Sequence, residues 1–199
     1  TSVSGLVLEE RWSGSTAYTN QSWSSSTPAV SNFLTSFTPS QNVAENYSRR
    51  ITGQIVAPVT GAYRFWIASD DDSRLFLSTT SSPANRVQIA SLTGWVNYQS
   101  WDSNASQRSA LINLVAGESY YMEVQHLEGG GGDHVSVAWE GPGITRQAIP
   151  AQTPENLATR YVRLVRTASA RRESDGSDPE LMAILDRPAG TTPVSVNYS

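Results

Sequence analysis

The feature that narrows the fold most is a two-residue period of apolar side chains. In Gly61-Ala62-Tyr63-Arg64-Phe65-Trp66-Ile67-Ala68-Ser69, the residues Tyr63, Phe65 and Ile67 fall on one face, with Arg64 and Trp66 on the other. That period belongs to a strand, because successive side chains of extended backbone point to opposite sides. Strands are expected likewise over 5–12, 50–55, 74–78, 86–91, 107–114, 119–127 and 134–140; in the last, Val135, Val137 and Trp139 share a face. Turn-forming clusters punctuate them at Val59-Thr60-Gly61, Ser82-Pro83-Ala84-Asn85 and Ala116-Gly117-Glu118. Helical signal is limited to mixed apolar spacing over 29–37 and a single turn at 42–47. Short strands at regular spacing indicate an all-β sandwich or barrel.

The chain has 199 residues, with 38% hydrophobic and only 16% charged residues, six Trp and eight Tyr. This length buries a core without covalent staples, and the mixture is that of a folded, strand-rich extracellular type of protein. Fourteen basic against 18 acidic residues, a net charge of −4, argue against a nucleic-acid partner. The absence of cysteine excludes disulfides, zinc–thiolate sites and a cysteine nucleophile. No run of 18 apolar residues exists, so no membrane insertion is expected. The chain opens at Thr1-Ser2-Val3 without a signal-peptide pattern and is expected to be part of a larger multidomain chain.

Composition shifts after Gly141-Pro142-Gly143. Tyr161-Val162-Arg163-Leu164-Val165-Arg166, Leu181-Met182-Ala183-Ile184-Leu185 and Val194-Ser195-Val196-Asn197-Tyr198 form additional C-terminal strands around a charged turn at 171–179. The expected division is one domain over 1–157 and additional strands over 158–199, either a second domain or integral to the same sandwich.

Two segments carry candidate chemistry. Ser69-Asp70-Asp71-Asp72-Ser73 puts three carboxylates in what reads as the turn of a hairpin between 63–69 and 74–78. Adjacent like charges repel, and a rigid turn holds them only if a cation or dense hydrogen bonding neutralises them. Calcium prefers such oxygens but takes six to eight, more than one turn supplies. Glu128-Gly129-Gly130-Gly131-Gly132-Asp133-His134 is the second segment. Four consecutive glycines are costly in conformational entropy and suit a loop whose backbone carbonyls face a cavity. No Lys-Ser/Thr ending and no following helix accompany them, so this is not a phosphate loop. The bland alternatives are a flexible hairpin loop and a solvated Asx-type turn. Elsewhere, Glu9-Glu10 reads as a solvated edge and His126 as a packed strand-end residue. His134 is a candidate ligand contact beside a solvent-facing alternative. Trp95 and Trp101 flank a loop and are candidates to stack on sugars. No Gly-x-Ser-x-Gly elbow is present and no carboxylate pair is singled out, so no catalytic residue is expected and the chain is not read as an enzyme.

At these residues the chain resembles the PA-fourteen domain family, named from the anthrax protective antigen. The resemblance runs from about residue 5 to 150. It is carried by Gly5-Leu6-Val7-Leu8-Glu9-Glu10-Arg11-Trp12, Tyr47-Ser48-Arg49-Arg50-Ile51-Thr52-Gly53, the segment from Gly61 to Asp71, Gly94-Trp95, Ala116-Gly117-x-x-Tyr120-Tyr121-x-Glu123, and Glu128 through Trp139. It implies a β-sandwich or barrel. In the lectin branch, two consecutive aspartates, often joined by a cis peptide, hold a calcium ion that coordinates sugar hydroxyls. Carried over, this makes Asp70 and Asp71 calcium ligands across a cis bond, with Gly130, Gly131, Gly132 and Asp133 completing the metal set and Asp72 a bystander. The sugar would then meet Asp70, Asp71, Gly131, Asp133 and His134. The tail is similar to the opening of a Calx-beta domain. The expectation is a calcium-dependent lectin module, extracellular or at the cell surface, of a bacterial adhesin or secreted carbohydrate-active protein, with a glycan or polysaccharide as partner. The alternative is a structural or protein-interaction domain whose calcium only stiffens loops.

Overall fold

The computed structural model describes residues 7–14 and 27–150, and three strands between 162 and 196. The chain divides into two compact units, Thr1–Pro154 and Glu155–Ser199. In the first unit ten strands follow in order: β1 Val7–Ser13, β2 Val30–Leu34, β3 Tyr47–Val56, β4 Gly61–Asp70, β5 Ser73–Leu77, β6 Val87–Leu92, β7 Ile112–Leu114, β8 Ser119–Glu128, β9 His134–Gly141 and β10 Ile144–Ala148. They form a six-stranded sheet, β2-β1-β3-β8-β5-β6, and a four-stranded sheet, β10-β9-β4-β7. In the second unit β11 Val162–Arg166, β12 Leu181–Leu185 and β13 Ser195–Val196 make an antiparallel sheet of their own. The charged turn at 171–179 lies outside the described residues.

The alternation read from the sequence builds the core. Tyr63, Phe65 and Ile67 of β4 and Val135, Val137 and Trp139 of β9 turn inward from the smaller sheet. They meet Ile51, Ile55, Leu75, Met122 and Val124 of the larger one, all fully buried. Each such side chain contributes about 1.5–3 kcal/mol. The other face of β4 is covered too: Ala68 packs with Leu92 and Val96, with Trp101 against them. Gly141 is fixed by packing, since a Cβ there would sit 2.3 Å from the Tyr63 ring.

Several expectations are corrected. Segments 61–70 and 73–77 are not a hairpin: β4 pairs with β7 and β9, and β5 with β6 and β8, in different sheets. Their turn is a corner between layers. Residues 30–34, where the sequence showed only mixed apolar spacing, form an edge strand on β1, and 42–47, read as a single helical turn, contain bends and the start of β3. Of the expected 107–114 strand only 112–114 form one; Gln107 ends a 3-10 turn, and Arg108 makes an isolated bridge to Trp66. Strand β10 had no sequence signal. Glu9 is not a solvated edge residue: β1 lies between β2 and β3, and Glu9 is 4% exposed.

Candidate functional site

Strand register brings the two chemical segments together. The β4–β9 pairing ends with Asp70 opposite His134, and the β5–β8 pairing starts with Ser73 opposite His126. Residues 71–72 and 129–133 are therefore two crossings between the same sheets at the same end of the sandwich. Each crossing occupies the position that covers the other.

The acidic corner is held at every residue. The Asp70–Asp71 peptide bond is cis, as the resemblance implied. His126 Nε2 lies 2.7 Å from the Asp70 carbonyl oxygen, which only accepts, so Nε2 carries the proton. Ser69 Oγ donates to the Asp71 carbonyl at 2.6 Å. Leu127 N donates to the Asp72 carbonyl at 2.9 Å, and Gly94 N to Asp72 Oδ1 at 2.6 Å. Asp72 thus anchors the 93–96 loop. Asp71 Oδ2 accepts from Gly129 N at 3.1 Å, which joins the corner to the glycine loop.

Asp70, Asp71 and Glu128 each bring a carboxylate oxygen within 4.8 Å of the others. Glu128 is wholly buried, and neither of its oxygens has a hydrogen-bond partner. The Asp71 amide faces it only closely enough to offset a little of its rise in pKa, which burial, then Asp71, Asp70 and Asp133, drive up to about 7. Burial, and next the Asp71 charge, also raise Asp70. Three converging acids, one without a hydrogen-bond partner, are a group that could hold a hard cation. The donor set is all oxygen and fits calcium. Sequence reasoning passed over Glu128 as the residue before the glycines. Its signal was there: β8 carries inward residues at Met122, Val124 and His126, so the strand's end continues that face to Glu128.

Asp133 is placed differently from a direct ligand and stands outside that group. It is 1% exposed. Its Oδ2 accepts from Val43 N at 2.6 Å and Ala44 N at 3.1 Å, while Oδ1 faces Arg49 Nη2 at 3.6 Å. The segment 42–46, which sequence reasoning missed, is stapled along the glycine loop. Asn42 N donates to the Asp133 carbonyl at 2.9 Å and Asn46 N to the Gly129 carbonyl at 3.0 Å. Asp133 N donates to Asn42 Oδ1, and Gly131 N to Glu45 Oε2, both at 3.1 Å. Asn42 and Asn46 take the left-handed conformation this needs, at φ 53° and 50°, which asparagine tolerates. Gly131, at φ 111°, is a position where a side chain would be strained. Gly130 and Gly132 are exposed beside it.

His134 is likewise not an open ligand contact. It is 7% exposed, with Nε2 2.9 Å from the Val96 carbonyl and its ring edge-on to Tyr98 at 5.5 Å. Burial holds His134 below the ordinary histidine range; burial and then Arg49 push His126 down to about 3. Of the two candidate stacking residues, Trp95 is 65% exposed on the 93–96 loop, whereas Trp101 packs on the second apolar cluster. A separate apolar groove of about 430 Å³, lined by Leu77, Val87, Ile89, Ile112 and Tyr120 among others, shares no residue with this site.

The family model described as the PA14 domain matches residues 2–153. The chain belongs to the PA14 domain family. Among curated proteins this PA14 chain is 36% identical over 80 residues to mouse fibrocystin-L, covering 40% of the chain and 2% of that protein. It is 34% identical over 113 residues to mouse N-acetyl-beta-glucosaminyl-glycoprotein 4-beta-N-acetylgalactosaminyltransferase 1, covering 53% of the chain and 11% of that enzyme. The chain therefore spans a small fraction of the length of these relatives. Its fold is similar to a PA14 sugar-binding domain from an RTX adhesin, with TM-score 0.55 and 10% identity, over 76% of this chain and 98% of that one. It is also similar to the A domain of epithelial adhesin 9 from Candida glabrata in complex with Galb1-4GlcNAc, with TM-score 0.53 and 11% identity, over 76% and 91%. At such identities the likeness is one of fold. No helix among the described residues is long and apolar enough to cross a membrane.

Proposed function

We propose that the PA14 unit is a calcium-dependent carbohydrate-binding module. One observation supports this above the others: the buried, unpartnered carboxylate of Glu128 converges with Asp70 and Asp71 beside an exposed glycine loop. Asp70, Asp71 and Glu128 would hold the ion, with carbonyl oxygens of Gly130, Gly131 and Gly132 completing the set. Calcium so bound supplies open coordination positions for vicinal sugar hydroxyls. The chain's own residues do the positioning. His126 and Ser69 fix the backbone of the two aspartates, and Gly129 N fixes Asp71. Asp133 keeps the ligand-side role expected of it only indirectly, by pinning 42–46 against the glycine loop. His134 orients the 93–98 loop that carries Trp95 and Tyr98. The small glycines leave room above the ion for a ring of hydroxyls.

The fold shared with sugar-binding adhesin domains supports the same reading. The module would sit outside the cell or on its surface, as a binding part of a larger adhesin or carbohydrate-active protein, with no catalysis of its own. The test is a glycan array probed with calcium and with chelator, beside calorimetric titration of calcium into chelated protein. Calcium-dependent glycan capture is expected. Capture that persists in chelator overturns the reading. Calcium binding with no glycan captured leaves the ion a loop-stiffening role instead.

A further inference from the structure

The charges around the site are one-sided. The sequence has no lysine, so arginine is its sole permanent cation. Among the described arginines, Arg49, which reaches Asp133 beside the site, is fully buried and already committed: its Nε lies 2.8 Å from Glu9 Oε1 and its Nη2 3.6 Å from Asp133 Oδ1. Arg11, Arg50, Arg86 and Arg146 pair with Glu9, Glu10, Glu123 and Asp102. Arg64 and Arg108 belong to the far part of β4 and its bridge partner: Arg64 is in register with Glu140, and Arg108 bridges Trp66. Arg74 sits in register with Gln125, three residues before Glu128 on the neighbouring strand. None is on either crossing or on 42–46.

Acids, in contrast, line both sides of the glycine loop. Asp71 Oδ2 sits on Gly129 N, and Glu45 Oε2 on Gly131 N, each at 3.1 Å. Glu45 is exposed, and its position is set from below by Asp133 through the amides of Val43 and Ala44. A divalent ion among Asp70, Asp71 and Glu128 leaves one negative charge uncancelled, and Glu45 and Asp72 add two more close by. The loop between them is all glycine and offers no side chain to screen an approaching ligand.

From this placement we infer that the site is a charge filter. It accepts neutral glycans with adjacent hydroxyls and rejects sialylated, uronic-acid or phosphorylated ones, with Glu45 as a specificity-determining residue on the rim. The inference rests on the sugar-binding reading above. It adds the ligand's charge class and a residue that touches ligand rather than ion. Like charges a few ångströms apart at a partly wet rim cost enough for roughly a tenfold preference, and that preference must shrink with salt.

The experiment is a printed array of matched pairs probed with the full calcium-loaded chain. The pairs are N-acetyllactosamine and its sialylated form, cellobiose and cellobiuronic acid, and mannobiose and its 6-phosphate. Of any pair captured, the neutral member is expected to bind about tenfold more tightly. Glu45→Gln is expected to cut that ratio about threefold while calcium affinity stays within about twofold. Equal or tighter capture of acidic members overturns the filter but leaves calcium-dependent sugar binding standing. An unchanged ratio in Glu45→Gln overturns the role of Glu45. Capture of neither member of any pair overturns the filter together with the reading beneath it.

Discussion

Two groups of acids lie side by side in this sandwich, one wholly buried around an arginine and one half-buried without one. Glu9 and Asp133 share Arg49, a cation supplied by the fold itself and enclosed between β1, β3 and the start of β9. Asp70, Asp71 and Glu128 converge without a salt bridge to any described arginine, and the Glu128 carboxylate has no hydrogen-bond partner. The first group is a closed structural unit: removing one member leaves the others charged and dry. The second has the form of a site made to be completed from solution. The same residue type performs opposite duties, and the difference lies in whether the sheet offers a guanidinium. Sequence reading put Asp133 in the open group, because it ends the glycine run. The structure gives it to the closed one.

The comparison breaks most visibly at Arg49. Arg49→Met should cost about 3–5 kcal/mol of stability, with or without calcium, because Glu9 and Asp133 lose their shared partner. Denaturant unfolding checks this, and a loss confined to the chelated protein would put Arg49 in the open group instead. Asp71→Ala should leave the fold intact but weaken calcium on the order of 100-fold and abolish calcium-dependent glycan capture. Titration calorimetry beside circular dichroism separates the two effects, and the same is expected of Asp70→Ala. Glu128→Gln is the sharpest contrast, since its sign changes with the ion. In chelator it should gain on the order of 1 kcal/mol, because a buried unpaired charge is removed. In calcium that gain should disappear as the ion binds about tenfold more weakly.

The smallest expected effect is on pH. Glu128 has its carboxyl raised from 4.5 to about 7. Its folded pKa is above its unfolded value, so what the neutral acid contributes to the chelated fold is present below 4.5 and lost as pH rises towards 7. Calcium runs the other way. Protons compete for Glu128 below pH 7, so affinity should fall as pH drops below 7, by about tenfold at most, the loss that Glu128→Gln itself produces, and level off above 7. Calcium titrations at pH 5.5, 6.5 and 7.5, repeated on Glu128→Gln, check whether the slope belongs to this residue.

The layered all-β fold was legible because Tyr63, Phe65 and Ile67, and Val135, Val137 and Trp139, carry the two-residue period without interruption. The strand at 30–34 was illegible because an edge strand buries little: Ser31, Asn32 and Phe33 are exposed, so the pattern has no apolar face to display. The acidic corner looked like a hairpin because a short polar break between strands is the same in sequence whether the strands pair with each other or with strands of different sheets. Only the register, Asp70 against His134 and Ser73 against His126, distinguishes the cases.

By itself, the sequence determined the strands, a glycine run that needs unusual dihedrals, and adjacent aspartates whose charges repel. Those are local properties, set by side-chain period, the missing Cβ and Coulomb repulsion between neighbours. Which carboxylates meet was decided by tertiary structure alone. Glu128 joins Asp70 and Asp71 from 58 and 57 positions away, and Asp133 turns to Arg49, because strand pairing fixes which ends coincide and burial decides which charge goes unpartnered. The acidic turn is a corner of a site whose third wall, 42–46, no local pattern announces.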